Sequence, residues 1–358
     1  MKIGIIGLPQ VGKKTIFNIL TGVDLSGTDP EKLRSPIKGV VMVRDPRLDN
    51  IVAIYSPAKV TPLHIEVVLM PPVDKEYIKS GHLFEHLNDA NALCHIVRAF
   101  KNEMVYHIDG SIDPIRDIDS IDTELILSDL IFVEKRLERI DKESKRRGEY
   151  DAAKEKELLF KFKEHLEKNL PLRTLHLGEE QKKIISSYPL ITLKPLLIVL
   201  NIGEDDLKRP VLPADLVEKY KVQGVYIVQV SAKIEGELSQ LESKDDRDAF
   251  LKDLAIDELA VDKLTRLLYE ALGLISFFTT VGKEVRAWAI KKGSTAQEAA
   301  GAIHSDMERG FIRAEVIKYG DMMELGSEHK VKEAGRLMVK GKDYIVEDGD
   351  ILNIRFSV

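Results

Sequence analysis

The stretch GLPQVGKKT, at residues 7–15, constrains this chain more than any other feature of its sequence. It follows the pattern G-x-x-x-x-G-K-[ST] of a phosphate-binding loop, except that Lys14 stands at the last position, where a hydroxyl normally contacts magnesium. Residues 2–6 read as a buried strand, and residues 13–20 carry apolar side chains at helical spacing. This strand, loop and helix order predicts a nucleotide-binding domain.

Further apolar runs predict the rest of a sheet around this loop. They are separated by helical stretches and cover residues 39–43, 64–69, 92–97, 196–200 and 226–230. Buried strands that alternate with helices are typical of a parallel sheet covered on both faces. The sequence therefore predicts an α/β fold with a mainly parallel sheet, formed by residues 1–119 and 189–275.

An insertion at residues 120–188 interrupts this predicted domain. Its first half has apolar residues four and three apart, as in a coiled coil, at Ile126, Leu130, Val133, Leu137 and Ile140. A facing stripe follows at Ala152, Leu159, Phe162 and Leu166. The polar stretch KESKRRGEYD between them indicates a turn, so we expect an antiparallel helical arm.

The predicted tip of the arm is basic. It carries Lys142, Lys145, Arg146 and Arg147, which suit contact with a phosphate backbone. A solvated helix end explains the same charges, and the sequence leaves both interpretations open.

The last segment, residues 276–358, has a different pattern. Short alternating runs such as VRAWAI, RAEVI and ILNIRFSV predict strands joined by turns that contain glycine. One interpretation is a basic and aromatic face for RNA, formed by Arg286, Trp288, Lys291, Lys292 and Arg313. Acidic residues are interleaved with these cations, and Trp288 is better explained as a core residue of a small β-rich domain.

The composition excludes some classes of protein. With a formal net charge of −6 and a pI near 5.9, the chain does not coat nucleic acid through its overall charge. Its single cysteine, Cys94, lies in an apolar run and has no partner for an internal disulfide. No stretch has the pattern of a signal peptide or the ~20 apolar residues of a membrane span. We expect a cytoplasmic protein.

Several motifs together resemble one known family. They are GLPQVGKKT, DPRLD at 45–49, GSIDPIRDID at 110–119, TELILSDL at 123–130, NIGE at 201–204, SAKIEGEL from Ser231, and the ending GKDYIVEDGDILNIRFSV. With these motifs the chain resembles the YchF family of Obg-related P-loop NTPases over almost its whole length. The resemblance implies an NTPase domain interrupted by a coiled-coil arm and followed by a β-grasp TGS domain. It also implies that the ribosome or a ribosomal subunit is the partner.

The phosphate loop retains most of what nucleotide binding requires. The loop between Gly7 and Gly12 includes Pro9, Gln10 and Val11 and is expected to surround phosphates. Its backbone N–H groups, which every residue except Pro9 has, donate to the phosphate oxygens. Lys13 is in register for the β- and γ-phosphates, and Thr15 matches the second hydroxyl of the family's GKST. The sequence thus predicts that phosphate binding is retained.

The metal and switch positions depart from the family's pattern. Lys14 cannot coordinate magnesium, so its ammonium either points to solvent or takes the place of the metal. Leu33 or a neighbour stands where the family has a switch threonine, and Leu69 and Pro72 replace the aspartate and glycine of its D-x-x-G motif. Magnesium binding is therefore doubtful, and we predict weak or absent hydrolysis. A rebuilt catalytic site at His82, Glu85, His86 or Asp89 is the opposing hypothesis.

Base recognition is expected at two further motifs. Asn201, Ile202 and Glu204 form an N-x-x-E motif that lacks the lysine and aspartate with which N-K-x-D reads guanine. In the family that the chain resembles, N-x-x-E implies ATP accepted at least as well as GTP. Ser231 and Ala232 follow another strand and are expected to close over the base.

Three hypotheses remain open. The first is a ribosome-associated protein that binds ATP or GTP with little hydrolysis. The second is an active ATPase or GTPase of the same family with a rearranged metal site. The third is an interaction module without nucleotide, against which Lys13, Asn201 and Glu204 argue because both ends of the pocket are present.

Overall fold

The computed structural model describes residues 1–25, 27–28, 35–71, 86–147, 153–241, 243–254, 256 and 258–357, with the backbone alone at 144–147, 244–245 and 247–248. The strands are β1 Lys2–Ile6, β2 Ile37–Val43, β3 Lys59–Thr61, β4 Leu63–Leu69, β5 Ala92–Arg98, β6 Leu196–Asn201, β7 Val225–Val230, β8 Leu274–Thr279, β9 Glu284–Lys291, β10 Phe311–Ile317, β11 Met338–Lys340 and β12 Ile351–Phe356.

The helices follow the same chain order. They are α1 Lys13–Thr21, α2 Pro46–Tyr55, α3 Pro114–Arg147, α4 Ala153–Glu167, α5 Glu179–Ile184, α6 Ala214–Val222, α7 Ala232–Ser239, α8 Lys244–Asp253, α9 Ala260–Ala271, α10 Ala296–Ile303, α11 Ser305–Arg309, α12 Tyr319–Leu325 and α13 Glu328–Glu333. Among the described residues, none of these helices combines the length and apolar character needed to cross a membrane.

The first sheet has the strand order β2-β4-β1-β5-β6-β7. Strand β1 pairs in parallel with β4 and β5, and the parallel pairing continues from β5 through β6 to β7. Every residue of β5 and β6 is buried, as expected for central strands covered on both faces. The predicted α/β fold with a mainly parallel sheet is confirmed.

Helices α3 and α4 pack against each other in the inserted segment. Their ion pairs run in antiparallel order, since Glu134 meets Lys163 and Asp141 meets Lys156, each with an N–O distance of 2.7 Å. The shared core holds the predicted apolar residues Ile126, Val133, Leu137, Ile140, Leu159, Phe162 and Leu166, with Leu130 partly buried beside it. Ala152 lies outside the described residues, and the coiled-coil geometry stays a prediction.

The second sheet has the order β11-β10-β12-β8-β9-β3. Helix α10 packs on one face of it through Ala296, Ala299 and Ala300. Helix α2 packs on the other face, where Leu48 and Ile51 join a second apolar cluster. Trp288 packs against the first cluster and its Nε1–H donates to Thr279 Oγ1 at 2.9 Å, as the sequence indicated for a core residue.

The chain forms two compact units with an unexpected division. The first contains Met1–Val40 and Glu66–Leu264, and the second contains Val41–Ile65 and Thr265–Val358. The sequence placed 41–65 in the nucleotide domain, but β3 pairs in parallel with β9, with Lys59 opposite Glu284. Arg47 of α2 likewise forms an ion pair with Asp348, with a shortest N–O distance of 2.8 Å. Helix α2 and strand β3 therefore pack with the C-terminal segment, and β3 adds an edge strand to its sheet, whereas β2 and β4 belong to the first sheet.

Candidate functional site

The phosphate loop between β1 and α1 depends on backbone conformations that favour glycine. Gly7 has φ +149° and Gly12 has φ +96°. A Cβ atom at Gly7 would lie 2.4 Å from the carbonyl oxygen of Ile96, and one at Gly12 would lie 2.2 Å from Nδ2 of Asn201. Gln10, between them, also has a left-handed φ of 59°. Both glycines of the motif are thus required by conformation and by contact.

Lys13 spans the loop from the first turn of α1. Its ammonium donates to the carbonyl oxygens of Gly7 and Leu8 at 2.5 and 2.7 Å. The side chain is 7% exposed. Burial, reinforced by the neighbouring ammonium of Lys14, lowers the pKa of Lys13 to about 7. The lysine is therefore held in place by two carbonyl groups of the loop.

A cavity of about 550 Å³ opens beside this loop. Its lining combines two lysines, two hydroxyl side chains and a large apolar share: Pro9, Gln10, Gly12, Lys13, Lys14, Thr15, Ser35, Ile37, Leu69, Met70, Phe100, Met104 and Val105. Lys14 and Thr15 are exposed residues at this cavity. A cavity of this size and mixed lining is suitable for a small-molecule ligand.

The part of the lining at the end of β4 is apolar. Leu69 at the end of β4 is 4% exposed and Met70 is 1% exposed, and the N–H of Met70 donates to the carbonyl of Ile5 at 3.0 Å. Leu69 stands where the sequence comparison placed the aspartate of D-x-x-G. Pro72 and Leu33 lie outside the described residues. The described half of this motif is therefore packed into the core rather than presented as a ligand.

The described lining of the cavity offers a magnesium ion no carboxylate, and its side-chain oxygens are those of Gln10, Thr15 and Ser35. Magnesium prefers oxygen ligands, with at least one carboxylate in most protein sites. Among the described residues that line the cavity there is no Asp, Glu or His, and an ammonium occupies the position after the loop lysine. Elsewhere in the described ranges, no three His, Cys, Asp or Glu side chains are grouped so as to hold a metal.

Asn201 connects the loop to a second element. Its Nδ2 donates to the carbonyl of Val11 at 3.0 Å, and its Oδ1 accepts from the N–H of Ala232 at 3.1 Å. The side chain is 4% exposed, and Ala232 is the first residue of α7. The asparagine of N-x-x-E thus joins the phosphate loop to the S-A-K motif.

Comparison with known proteins agrees with these motifs. Residues 274–357 match the sequence model of the family YchF-GTPase_C, described as "Protein of unknown function (DUF933)". The chain is 40% identical over 363 residues to the "Ribosome-binding ATPase YchF" of Bacillus subtilis, covering 99% of both chains. It is 38% identical to the protein of the same name from Haemophilus influenzae, covering 100% of this chain and 99% of the relative. The chain belongs to the YchF family.

Solved structures show the same relationship. The Schizosaccharomyces pombe YchF GTPase superposes with a TM-score of 0.84 at 29% identity, over 99% of this chain and 97% of that one. A GTP-binding protein from Pyrococcus horikoshii superposes with a TM-score of 0.64 at 20% identity over the full length of both chains, which shows a shared fold. The resemblance predicted from sequence motifs is thereby confirmed.

The predicted YchF site residues fall into two groups in the structure. Pro9, Gln10, Gly12, Lys13, Lys14 and Thr15 line the cavity, while Gly7 and Val11 shape the loop behind it. The predicted base-binding residues Asn201, Ile202, Glu204, Ser231 and Ala232 are not among its described lining residues. Ile202 is buried, and Glu204 is largely exposed, with its carboxylate 4.0 Å from the ammonium of Lys233.

Ser231 differs from its neighbours. Its hydroxyl is buried, and within the described part of the chain it has no hydrogen-bond partner. A buried hydroxyl without a partner loses free energy relative to one that is paired. Ser231 is therefore the residue of the base motif with a polar group still to be satisfied.

The opposing catalytic hypothesis finds no geometric support in the described residues. His86 and Asp89 are exposed, and neither is among the residues that line the cavity. Asp89 instead lies 3.6 Å from the ammonium of Lys2. His82 and Glu85 lie outside the described residues.

The sequence analysis missed the segment that forms one side of the cavity. Arg98, buried at the end of β5, donates to the carbonyl oxygens of Phe100 at 3.2 Å and Asn102 at 3.1 Å. Its guanidinium also lies 4.6 Å from the centroid of the Phe100 ring. These bonds hold the segment that supplies Phe100, Met104 and Val105 to the lining. In the sequence, Arg98 is a charged residue at the end of an apolar strand, and this was the feature that could have pointed to the segment.

Proposed function

We propose that this chain is a purine-nucleotide-binding, ribosome-associated regulatory protein with weak or absent hydrolysis. The observation that carries the proposal is the phosphate loop, with Gly7 and Gly12 in left-handed conformations and Lys13 bound across it. A loop of this kind followed by a helix N-terminus binds anionic phosphate through its N–H groups and the helix dipole. The names of the YchF relatives, ribosome-binding ATPases, support the ribosomal partner.

The proposed base preference is for ATP at least as much as GTP. The N-x-x-E motif has Glu204 where a guanine-reading loop has its aspartate, and it lacks the adjacent lysine. Asn201 supports this region by joining it to the phosphate loop rather than by adding to the cavity lining.

Weak hydrolysis is proposed because the charge stabilisation of phosphoryl transfer is incomplete. A bound metal contributes several kcal/mol to this step, and each ~1.4 kcal/mol is a factor of ten in rate. Lys14 replaces the metal-binding hydroxyl, and Leu69 replaces the acidic residue. We expect turnover about 10³-fold or more below that of a family member with both groups.

The test is a nucleotide titration paired with an activity measurement. Calorimetry with ATP and with GTP should give binding to the wild-type chain and none to Lys13→Ala. Lys221→Ala is a matched control, because Lys221 is exposed on α6 outside the cavity. Phosphate release should stay near background. If no nucleotide binds, the proposal is wrong.

An active ATPase is the second candidate, and the names of the relatives favour it. Magnesium-dependent phosphate release at the rate of an intact relative would establish this candidate and contradict weak hydrolysis. It would also direct attention to residues outside the described ranges, including His82 and Glu85.

The ribosomal contact is proposed at the arm tip or the C-terminal TGS-like unit. Lys142 is exposed near the described end of α3, while the side chains of Lys145, Arg146 and Arg147 lie outside the description. Co-sedimentation of the full chain with ribosomes should fall when these four residues are changed to Glu. Unchanged co-sedimentation would exclude the tip and leave the C-terminal unit. The cytoplasmic location proposed from the sequence follows from the same partner.

A further inference from the structure

We propose that the cavity binds the phosphate chain of a nucleotide without a magnesium ion, with the ammonium of Lys14 supplying the positive charge in its place. The inference rests on the proposed nucleotide binding and concerns the form of nucleotide that the site accepts. Its ligand is the metal-free polyphosphate, such as the free ATP anion, rather than the magnesium complex.

Lys14 lies where the phosphate chain of a nucleotide is expected to bind. It is the second residue of α1, directly after the lysine that spans the loop, and it lines the cavity while remaining exposed. The N-terminus of a helix carries partial positive charge and attracts anions. An ammonium at this point adds a full charge at the position where the loop pattern normally has the hydroxyl that contacts the metal.

Lys14 and Leu69 together keep the net charge that a magnesium ion and a carboxylate would provide. A magnesium ion beside one carboxylate gives a net charge of about +1 at the metal position. Lys14 beside the uncharged Leu69 gives the same net charge with a single ammonium. The two replacements are therefore complementary: each alone would change the net charge, and together they preserve it.

Leu69 and Met70 are both buried, with 4% and 1% of their surface exposed. A carboxylate at either position would be desolvated, and it would attract the ammonium of Lys14 away from phosphate. With an apolar wall, the charge of Lys14 has no described acidic competitor among the cavity residues. A ligand phosphate then interacts with both lysines in a low-polarity environment that strengthens the attraction.

This arrangement predicts an unusual effect of magnesium. Magnesium binds free ATP in solution, and a site that accepts the metal-free anion has to compete with that complex. Added magnesium should therefore weaken the apparent affinity, whereas a phosphate loop with its own metal position binds more tightly when magnesium is present.

The experiment is calorimetric titration of ATP and ADP into the full-length chain, in EDTA and in excess magnesium. Wild type should bind more tightly in EDTA than in magnesium. Lys14→Ser should lose about tenfold or more in EDTA, a change of ~1.4 kcal/mol. Lys221→Ser is the control for removal of an exposed lysine from the same unit, and its affinity should equal that of wild type.

A double variant tests the complementarity. Lys14→Ser with Leu69→Asp restores a hydroxyl and a carboxylate, so it should bind ATP more tightly in magnesium than in EDTA. Circular dichroism confirms that each variant is folded. If the buried aspartate prevents folding, Lys14→Ser alone decides the question, because Lys14 is exposed.

The possible outcomes are distinct. Wild-type binding that is as tight or tighter in magnesium overturns this inference and leaves the proposed nucleotide binding intact. Binding in EDTA that Lys14→Ser does not weaken also overturns the role of Lys14. Absence of binding under both conditions refutes the proposed function itself. Binding in EDTA that depends on Lys14 supports the inference.

Discussion

The phosphate loop and the end of β4 both line the cavity, but they differ in how strictly the fold limits the residue type at each position. On the loop side, Gly12 has to be glycine because its φ is +96° and because Nδ2 of Asn201 lies where a Cβ would come. On the β4 side, Leu69 and Met70 are core residues, and any apolar side chain of suitable volume is compatible with that wall. The fold therefore limits the choice of residue in the phosphate loop more strictly than at Leu69, where the family has an acidic residue.

The largest effect on nucleotide affinity is expected from breaking the loop side with Gly12→Val. The new side chain collides with Asn201 and requires a left-handed φ, so we expect affinity to fall by more than about 100-fold and stability by about 2–4 kcal/mol. Calorimetry and urea unfolding measure the two effects. Gly236→Ala is the control, because among the described residues no atom beyond its chain neighbours and its own helix backbone lies within 4 Å of its Cβ position. Normal binding by Gly12→Val would refute the steric argument.

Removing the link between the loop and α7 should have the next largest effect. Asn201→Ala leaves the carbonyl of Val11 and the N–H of Ala232 without their bonds. We expect a loss of about 2 kcal/mol in the free energy of unfolding and about tenfold in ATP affinity. Asn201→Asp keeps the acceptor for Ala232 but places oxygen against the Val11 carbonyl. It should not restore binding, and full rescue by Asp would contradict the assigned bonds.

A substitution in the apolar wall should reduce stability and leave nucleotide affinity nearly unchanged. Leu69→Ala creates a cavity in a buried position, so stability should fall by about 2–4 kcal/mol. The affinity of the folded fraction should change by less than about threefold, since the wall contributes packing rather than ligation. Thermal unfolding and calorimetry at 15 °C separate the two quantities. A large loss of affinity in the folded protein would show that Leu69 contacts the ligand directly.

The smallest effect on binding is expected at Glu235 of α7, where the consequence is instead a dependence of stability on pH. Burial raises its pKa from 4.5 to about 7, although its Oε1 accepts from the N–H of Ala260 at 2.9 Å. The folded chain therefore binds this proton more tightly than the unfolded chain. Its contribution to stability is present below about pH 4.5 and is lost as pH rises through about 7.

Glu235→Gln keeps an acceptor for Ala260 and removes the titration. At pH 8 the variant should be more stable than wild type by about 1–2 kcal/mol, and the difference should vanish near pH 4. ATP affinity should be unchanged. Urea unfolding across this pH range measures the difference, and a gap that does not vary with pH would contradict the raised pKa.

Much of the site could be predicted because it lies within one short segment. The loop motif, Lys13 and Lys14 are all within residues 7–15, and local spacing is enough to place them on a loop and a helix. The apolar periodicity of α3 also predicted which residues pack in the arm. By contrast, the lining residue Ser35 precedes β2, and Phe100 and Met104 lie in the segment after β5, and no local pattern identified them.

The sequence by itself determined that residues 2–21 form a strand, a phosphate loop and a helix, and that the chain belongs with the YchF proteins. Only the tertiary structure decided where residues 41–65 pack, because strand partners far apart in sequence leave no trace in local spacing. Strand β3 has three residues, two of them polar, and it pairs with β9, more than two hundred residues later. Likewise, only the folded structure brings Lys14 and Leu69 into the lining of one cavity, because a helix and a strand that are distant in the sequence meet only when the sheet forms.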